Sequence, residues 1–203
     1  MSTIRTALAR DWPGIYRVCL QTGNSGKDAT ALFTDPDLLG HVYCGPFVEH
    51  DPGLAFVVVD EHGVGGYAMA CADTSAFASW AEHNWWPSLR AQYANTPRIG
   101  RDGDVIDLLF DPPSAQASVL AAFPAQMHID LTSRVRGQGT GRAMVQALID
   151  ALVARGVDGL HLDVSAENLN AIEFYRHLGF HELERQDSSV FMGMKLTSQQ
   201  GQR

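Results

Sequence analysis

The passage from Ala125 to Gly156, AQMHIDLTSRVRGQGTGRAMVQALIDALVARG, limits most tightly what this chain can fold into. It opens with a strand-like alternation, breaks into a turn with glycine at 137, 139 and 141, and continues as a run with helical spacing. Val145, Leu148, Ile149 and Leu152 fall on one face of that run, and Gly156 stops it. A strand that breaks into a bare turn at the mouth of a helix leaves amides unpaired at the positive end of the helix dipole. That is an anion site, and phosphate is the obvious guest. Arg136 and Arg142 flank it. The nucleoside-triphosphate P-loop is excluded, because Gly141 is followed by Arg142-Ala143 rather than by lysine and a hydroxyl residue. The dinucleotide fingerprint G-x-G-x-x-G fails too, since neither glycine pair has a third glycine three positions on. Asp158 stands about twenty residues downstream, where a ribose-binding acid would, but it lies in the surface turn RGVDG.

The rest of the chain alternates strands and helices, which predicts an α/β layered fold. Thr3 to Ala7 reads as a strand, followed by a helix with Asp11 as N-cap, Pro13 in its first turn, and Ile15, Val18 and Cys19 inward. Asn24 to Pro52 reads as a loop with a short helix. LAFVVVDEHGVGGYAMACAD reads as a hairpin turning at His62-Gly63. Between Thr74 and Pro124, Trp80, Trp85, Trp86, Leu89 and Tyr93 suggest helix interrupted near Pro87. These aromatics read as core or as a cap over the sheet in preference to a ligand-stacking wall. DVIDLLFDPP is expected to be a strand and SAQASVLAAF a short helix. LHLDVS, NLNAIEFYRHLGF (ending at Gly179) and SVFMGMKL then give strand, helix and strand. Residues 1 to 196 are expected to form one domain, 74 to 124 an insert that sets specificity, and 197 to 203 a disordered polar tail.

Arg136-Gly137-Gln138-Gly139-Thr140-Gly141 resembles the [RQ]-x-x-G-x-[GA] pyrophosphate loop of the GNAT N-acetyltransferase family. NLNAIEFYRHLGF is similar to the N-x-x-A-x-x-[FL]-Y-x-x-x-G-F segment that follows it there. Within the family, these segments and WWPSLRAQY look most like the acetyltransferase-like C-terminal domain of O-GlcNAcase and its free-standing bacterial relatives. The resemblance implies a mixed, mostly antiparallel sheet of six or seven strands with helices on both faces and a V-shaped splay between two central parallel strands. It implies acetyl-CoA as co-substrate, held by Leu131, Thr132, Ser133, Arg136, Gly137, Gln138, Gly139, Thr140, Gly141 and Arg142. Asn168, Asn170 and Tyr175 would flank it on the other side, with Phe174 buried. It also implies a bulged strand at Asp130 to Thr132 whose Leu131 amide points at the thioester oxygen, and Tyr175 as proton donor to the departing thiolate.

A general base must come from elsewhere. The period of two in MHIDLT and LHLDVS puts His128 with Asp130, and His161 with Asp163, opposite Ile129 and Leu162, so two H-x-D strands could lie side by side. Asp130 is the expected base, and His128, His161 and Asp163 are expected to line the acceptor pocket; no metal is expected. Fifteen basic against twenty-three acidic residues give a formal charge of -8, which argues against nucleic acid or an anionic membrane as partner and suits an amine, small-molecule or peptide. Cys19, Cys44 and Cys71 form no metal or CxxC spacing, and no window approaches the roughly 18 apolar residues of a membrane span, so the cytoplasm is the expected location. The expected activity is acetyl-CoA-dependent transfer to a primary amine by direct attack. Two alternatives are an inactive acyl-CoA-binding module and a fold-sharing binder of another phosphorylated ligand.

Overall fold

The computed structural model describes residues 2–112 and 114–196; the polar tail expected at 197–203 lies outside them. In chain order the elements are β1 (Thr3–Thr6), α1 (Trp12–Thr22), α2 (Leu38–Tyr43), α3 (Gly45–His50), β2 (Ala55–Asp60), β3 (Gly63–Cys71), α4 (Thr74–Asn84), α5 (Trp86–Tyr93), α6 (Gly100–Phe110), α7 (Ala117–Ala122), β4 (Ala125–Leu131), α8 (Thr140–Val153), β5 (Gly159–Ser165), α9 (Leu169–Leu178), β6 (His181–Arg185) and β7 (Ser189–Lys195). The seven strands form one sheet in the order β1-β2-β3-β4-β5-β7-β6. Every neighbouring pair is antiparallel except β4 and β5.

That parallel pair is joined only at Ala125–Leu160 and Gln126–His161, after which the two strands part. An open V therefore runs through the middle of the sheet. On one sheet face Val57, Tyr67, Met69 and Cys71 pack against α1 to α6. On the other, Val58, Ala68, Met127 and Leu162 pack against α8 and α9. The two helix layers are built from stripes at helical spacing, such as Val145, Leu148 and Leu152 of α8, all essentially inaccessible.

Trp86, Leu89 and Tyr93 are core residues, with Trp80 and Trp85 packed against them, so the aromatic insert is a cap over the sheet. The helix breaks at Trp85, and Pro87 opens α5, where its missing N–H costs nothing. The segment expected to be a strand, DVIDLLFDPP, is instead the helix α6. Its Val105, Ile106 and Leu109 are buried while Asp104 and Asp107 face out, which is one face of a 3.6-residue period rather than alternation. The loop at 24–52 holds two short helices, α2 and α3, where one was expected. The strand β6 was not foreseen; it is an edge strand with mostly exposed or half-exposed residues, and so carries little apolar signal.

Asp11 stands at the head of α1 but makes no capping bond there. Its carboxylate accepts from Arg5 at 2.6 and 2.9 Å and from the Leu8 amide at 2.8 Å, fastening β1 to the first helix. The Arg5 guanidinium holds the Asp11 carboxyl below its ordinary value. A depressed folded-state pKa stabilises the fold above the unfolded pKa, and that contribution is lost as pH falls through the depressed value. Asp11→Asn is therefore expected to lower unfolding free energy by about 2 kcal/mol at pH 7. In chemical denaturation the gap between variant and wild type should shrink as the pH drops below the carboxylate range; a gap that did not change with pH would contradict the ion pair's role.

Candidate functional site

The turn between β4 and α8 has the bare backbone its glycines suggested. Gly137, Gln138 and Gly139 are three consecutive residues in the left-handed region, at φ +87°, +50° and +80°. Gly139 caps α8 in that conformation without a capping side chain. The Thr140 amide bonds Gly137 and the Ala143 amide bonds Gly139. Among the described residues, the amides of Gly137, Gln138, Gly139, Gly141 and Arg142 find no main-chain acceptor. An N-terminal helix dipole adds to these donors, so the turn is a nest for an anion. A Cβ on Gly141 would lie 3.0 Å from Phe174 Cζ, which shows how closely α9 approaches. Phe174, expected to be buried, is only partly covered. With Gly137, Gly139, Thr140, Gly141, Arg142, His177 and Leu178 it lines a depression of about 290 Å³.

Neither flanking arginine is free in the turn. Arg136 donates to the Leu131 carbonyl at 2.7 Å and to the Gly26 carbonyl at 2.8 Å, and Arg142 to the His177 carbonyl at 3.2 Å. Their role here is to tie loop to strand and helix to helix. Asn168 caps α9 through the Ala171 amide at 3.2 Å, and Asn170 is exposed. Ser133 is exposed on a short helical turn that follows β4.

The bulge expected at Asp130 to Thr132 is absent on the β3 side, where the register runs without a shift from Gly66–Leu131 to Cys71–Gln126. The irregularity lies between β2 and β3, at Val58/Val59. The Thr132 amide donates to Gly65 at 2.9 Å, toward β3; alternation along a strand then turns the Leu131 amide the other way, into the V left by β5.

Across the V, Tyr175 of α9 is buried, its ring centroid 5.4 Å from that of Phe174 and 5.7 Å from that of Phe180. Burial, helped by the nearby charge of Asp130, pushes its phenol far above the ordinary value. Asp130 sits on the opposite sheet face from Leu131. Its Oδ2 accepts from the Tyr67 hydroxyl at 2.7 Å and lies 3.5 Å from His128 Nε2. Burial raises its carboxyl above the usual value, opposed chiefly by His128 and Tyr67.

The two H-x-D strands do not lie side by side at these residues, because β4 and β5 separate beyond Gln126. His161 is fully buried at the closed end of the V, with Nδ1 2.7 Å from the Phe123 carbonyl, and burial lowers its pKa. It therefore does not line an open acceptor pocket, contrary to expectation. Asp163 is exposed on the β5 wall, where partial desolvation raises its carboxyl. Tyr67 and Tyr43 were not foreseen as site residues. The alternation in GYAMAC places Tyr67 on the face of Met69 and Cys71, but its partnership with Asp130 depends on strand register. Among the described residues no group of three or more His, Cys, Asp or Glu side chains is placed to hold a metal ion, and no helix is long and apolar enough to cross a membrane.

Comparison with known proteins accords with this geometry. Residues 127–180, which run from β4 through the glycine turn to the end of α9, match the Acetyltransferase (GNAT) family. The crystal structure of SsHAT superposes with a TM-score of 0.91 at 30% identity, covering 97% of this chain and 99% of that one. Rat (Rattus norvegicus) protein O-GlcNAcase is 25% identical over 189 residues, 91% of this chain, but the chain spans only 20% of that protein's length. The [ribosomal protein bS18]-alanine N-acetyltransferase of Escherichia coli K12 is 53% identical over 45 residues, 22% of this chain and 30% of its own. The chain belongs to the GNAT acetyltransferase family, whose members transfer acetyl groups to amines.

Proposed function

We propose that this protein transfers the acetyl group of acetyl-CoA to a primary amine by direct attack. The observation that carries the reading is the set of unpaired amides at the head of α8, opening beside the parted strands β4 and β5. The pyrophosphate of CoA rests on the amides of Gly137, Gln138, Gly139, Gly141 and Arg142, as phosphates do at helix N-termini. The pantetheine arm runs up the V along β4, passing Leu131, Thr132 and Ser133, with Asn168 and Asn170 on the other bank. The Leu131 amide meets the thioester oxygen as charge develops on it, a contribution of about 3 to 4 kcal/mol where such donors have been removed elsewhere.

Tyr175 gives a proton to the departing thiolate. Asp130 stands on the acceptor side, with His128 beside it and Asp163 on the far wall, so the incoming ammonium meets carboxylates. An acidic chain of formal charge -8 draws in a cation. Three free, buried cysteines fit a reducing compartment, and we place the protein in the cytoplasm.

The test is release of free CoA thiol from acetyl-CoA in the presence of single amines: an alanine-initiated peptide, a lysine peptide, and small mono- and diamines. Amine-dependent release is expected. CoA binding with no release from any of them would replace the enzyme with an acyl-CoA-binding module.

A further inference from the structure

The acceptor's ammonium must lose a proton before its nitrogen can attack, and the cluster around Asp130 holds two groups that can take one. His128 Nδ1 lies 2.8 Å from the main-chain oxygen of Tyr43. A carbonyl oxygen only accepts, so Nδ1 carries the proton and Nε2 is left to gain or lose one. Nε2 faces Asp130 Oδ2 at 3.5 Å, and the Tyr67 hydroxyl already donates to that same oxygen. At that distance no hydrogen bond joins them; the lone pair of Nε2 and the carboxylate oxygen face the same space, where an incoming ammonium can donate to both. Both side chains remain open to the cleft, with 29% and 20% of their surface accessible.

We propose that His128 and Asp130 form one proton-holding dyad, its tautomer set by the Tyr43 carbonyl and its carboxylate held by Tyr67, and that this dyad takes the proton from the acceptor's ammonium. The inference rests on the acetyl-transfer reading above and assigns His128 a catalytic place in it. In the proton-poor state His128 is neutral and Asp130 ionised. The ammonium gives one proton to the pair, and the freed nitrogen lone pair forms the N–C bond. The C–S pair leaves with sulfur, which takes the Tyr175 proton; Tyr175 recovers one from the nitrogen of the adduct. The dyad's proton passes to solvent, and the balance is one amide, one thiol and one proton.

The groups facing the pair come from several surrounding elements: Thr22 of α1, Tyr43 at the end of α2 with Cys44 after it, Tyr67 of β3, Arg136 of the glycine turn and Tyr175 of α9. The Tyr43 and Tyr67 rings stand 6.0 and 5.5 Å from the His128 ring, centroid to centroid. Burial of the carboxyl is the dominant influence on Asp130, in the direction that lets the pair retain a proton.

The experiment uses the full chain labelled with ¹⁵N-histidine, with His128→Gln to assign the signal. In its neutral form, His128 of the wild type is expected to show a proton on Nδ1 and a lone pair on Nε2, the form that can take the ammonium's proton. A proton on Nε2 and a lone pair on Nδ1, the opposite tautomer, would overturn the assignment. With an amine that the wild type acetylates, His128→Gln is expected to lower kcat about 100-fold, the scale of general base catalysis, and to leave acetyl-CoA affinity unchanged. A rate within twofold of wild type would equally overturn it. A wild type that acetylates no amine would defeat the function proposed above, and the nitrogen signals would still decide the dyad.

Discussion

Tyr175→Phe is expected to lower kcat by about 100-fold or more at saturating acetyl-CoA while the affinity for acetyl-CoA stays as in the wild type. The tyrosine is buried between Phe174 and Phe180, so phenylalanine fills the same space and the packing of α9 is kept. What the variant lacks is one hydroxyl. That hydroxyl is held protonated by burial and by the charge of Asp130, with no hydrogen bond among the described residues pulling the other way. A phenol of raised pKa keeps its proton until a stronger base appears beside it, and the departing thiolate is such a base. An acceptor-saturated rate equal to wild type would remove the proton-donor role and leave Tyr175 a packing residue.

The second large effect belongs to the turn. Gly139→Val is expected to weaken acetyl-CoA binding about 100-fold, equivalent to about 2.7 kcal/mol. An added Cβ at 139 would meet nothing within 4 Å, so crowding is not the cause. The backbone is. At φ +80° even an alanine costs about 1 to 2 kcal/mol, and a β-branched residue is a genuine outlier. The turn must rearrange, and the aimed amides rearrange with it. Gly156→Ala at the other end of α8 provides the control, since it has the same left-handed backbone at φ +77° and open space around its Cβ. It should cost stability and leave binding alone. Isothermal titration of the two variants separates the outcomes, and equal affinities would contradict the anion nest.

The parts of this site that were legible in the sequence are those formed by contiguous residues. The glycine turn, the helix it opens and the Asn168 to Phe180 segment are local, and each carries its own backbone chemistry. The opposition of His128 and Asp130 to Ile129 was equally local, because a strand alternates whatever it pairs with. Register and approach were not legible. That Tyr67 meets Asp130, that the Tyr43 carbonyl fixes His128, and that β4 and β5 separate after Gln126 all depend on residues dozens of positions apart. His161 shows the same limit from the other side: it has the same motif as His128, yet one strand pairing carries it into the core. The misjudged α6 has a simpler cause, since a short apolar run such as VIDLL suits either period and only its burial against α2 and α5 decides between them.

The most direct test of the account is calorimetric titration of the purified protein with acetyl-CoA, with NAD as the control for an unspecific pyrophosphate site. The account predicts saturable one-to-one binding of acetyl-CoA and none of NAD, because the dinucleotide lacks the pantetheine arm proposed to lie along the free edge of β4. Absence of acetyl-CoA binding, or equal binding of both ligands, would contradict it.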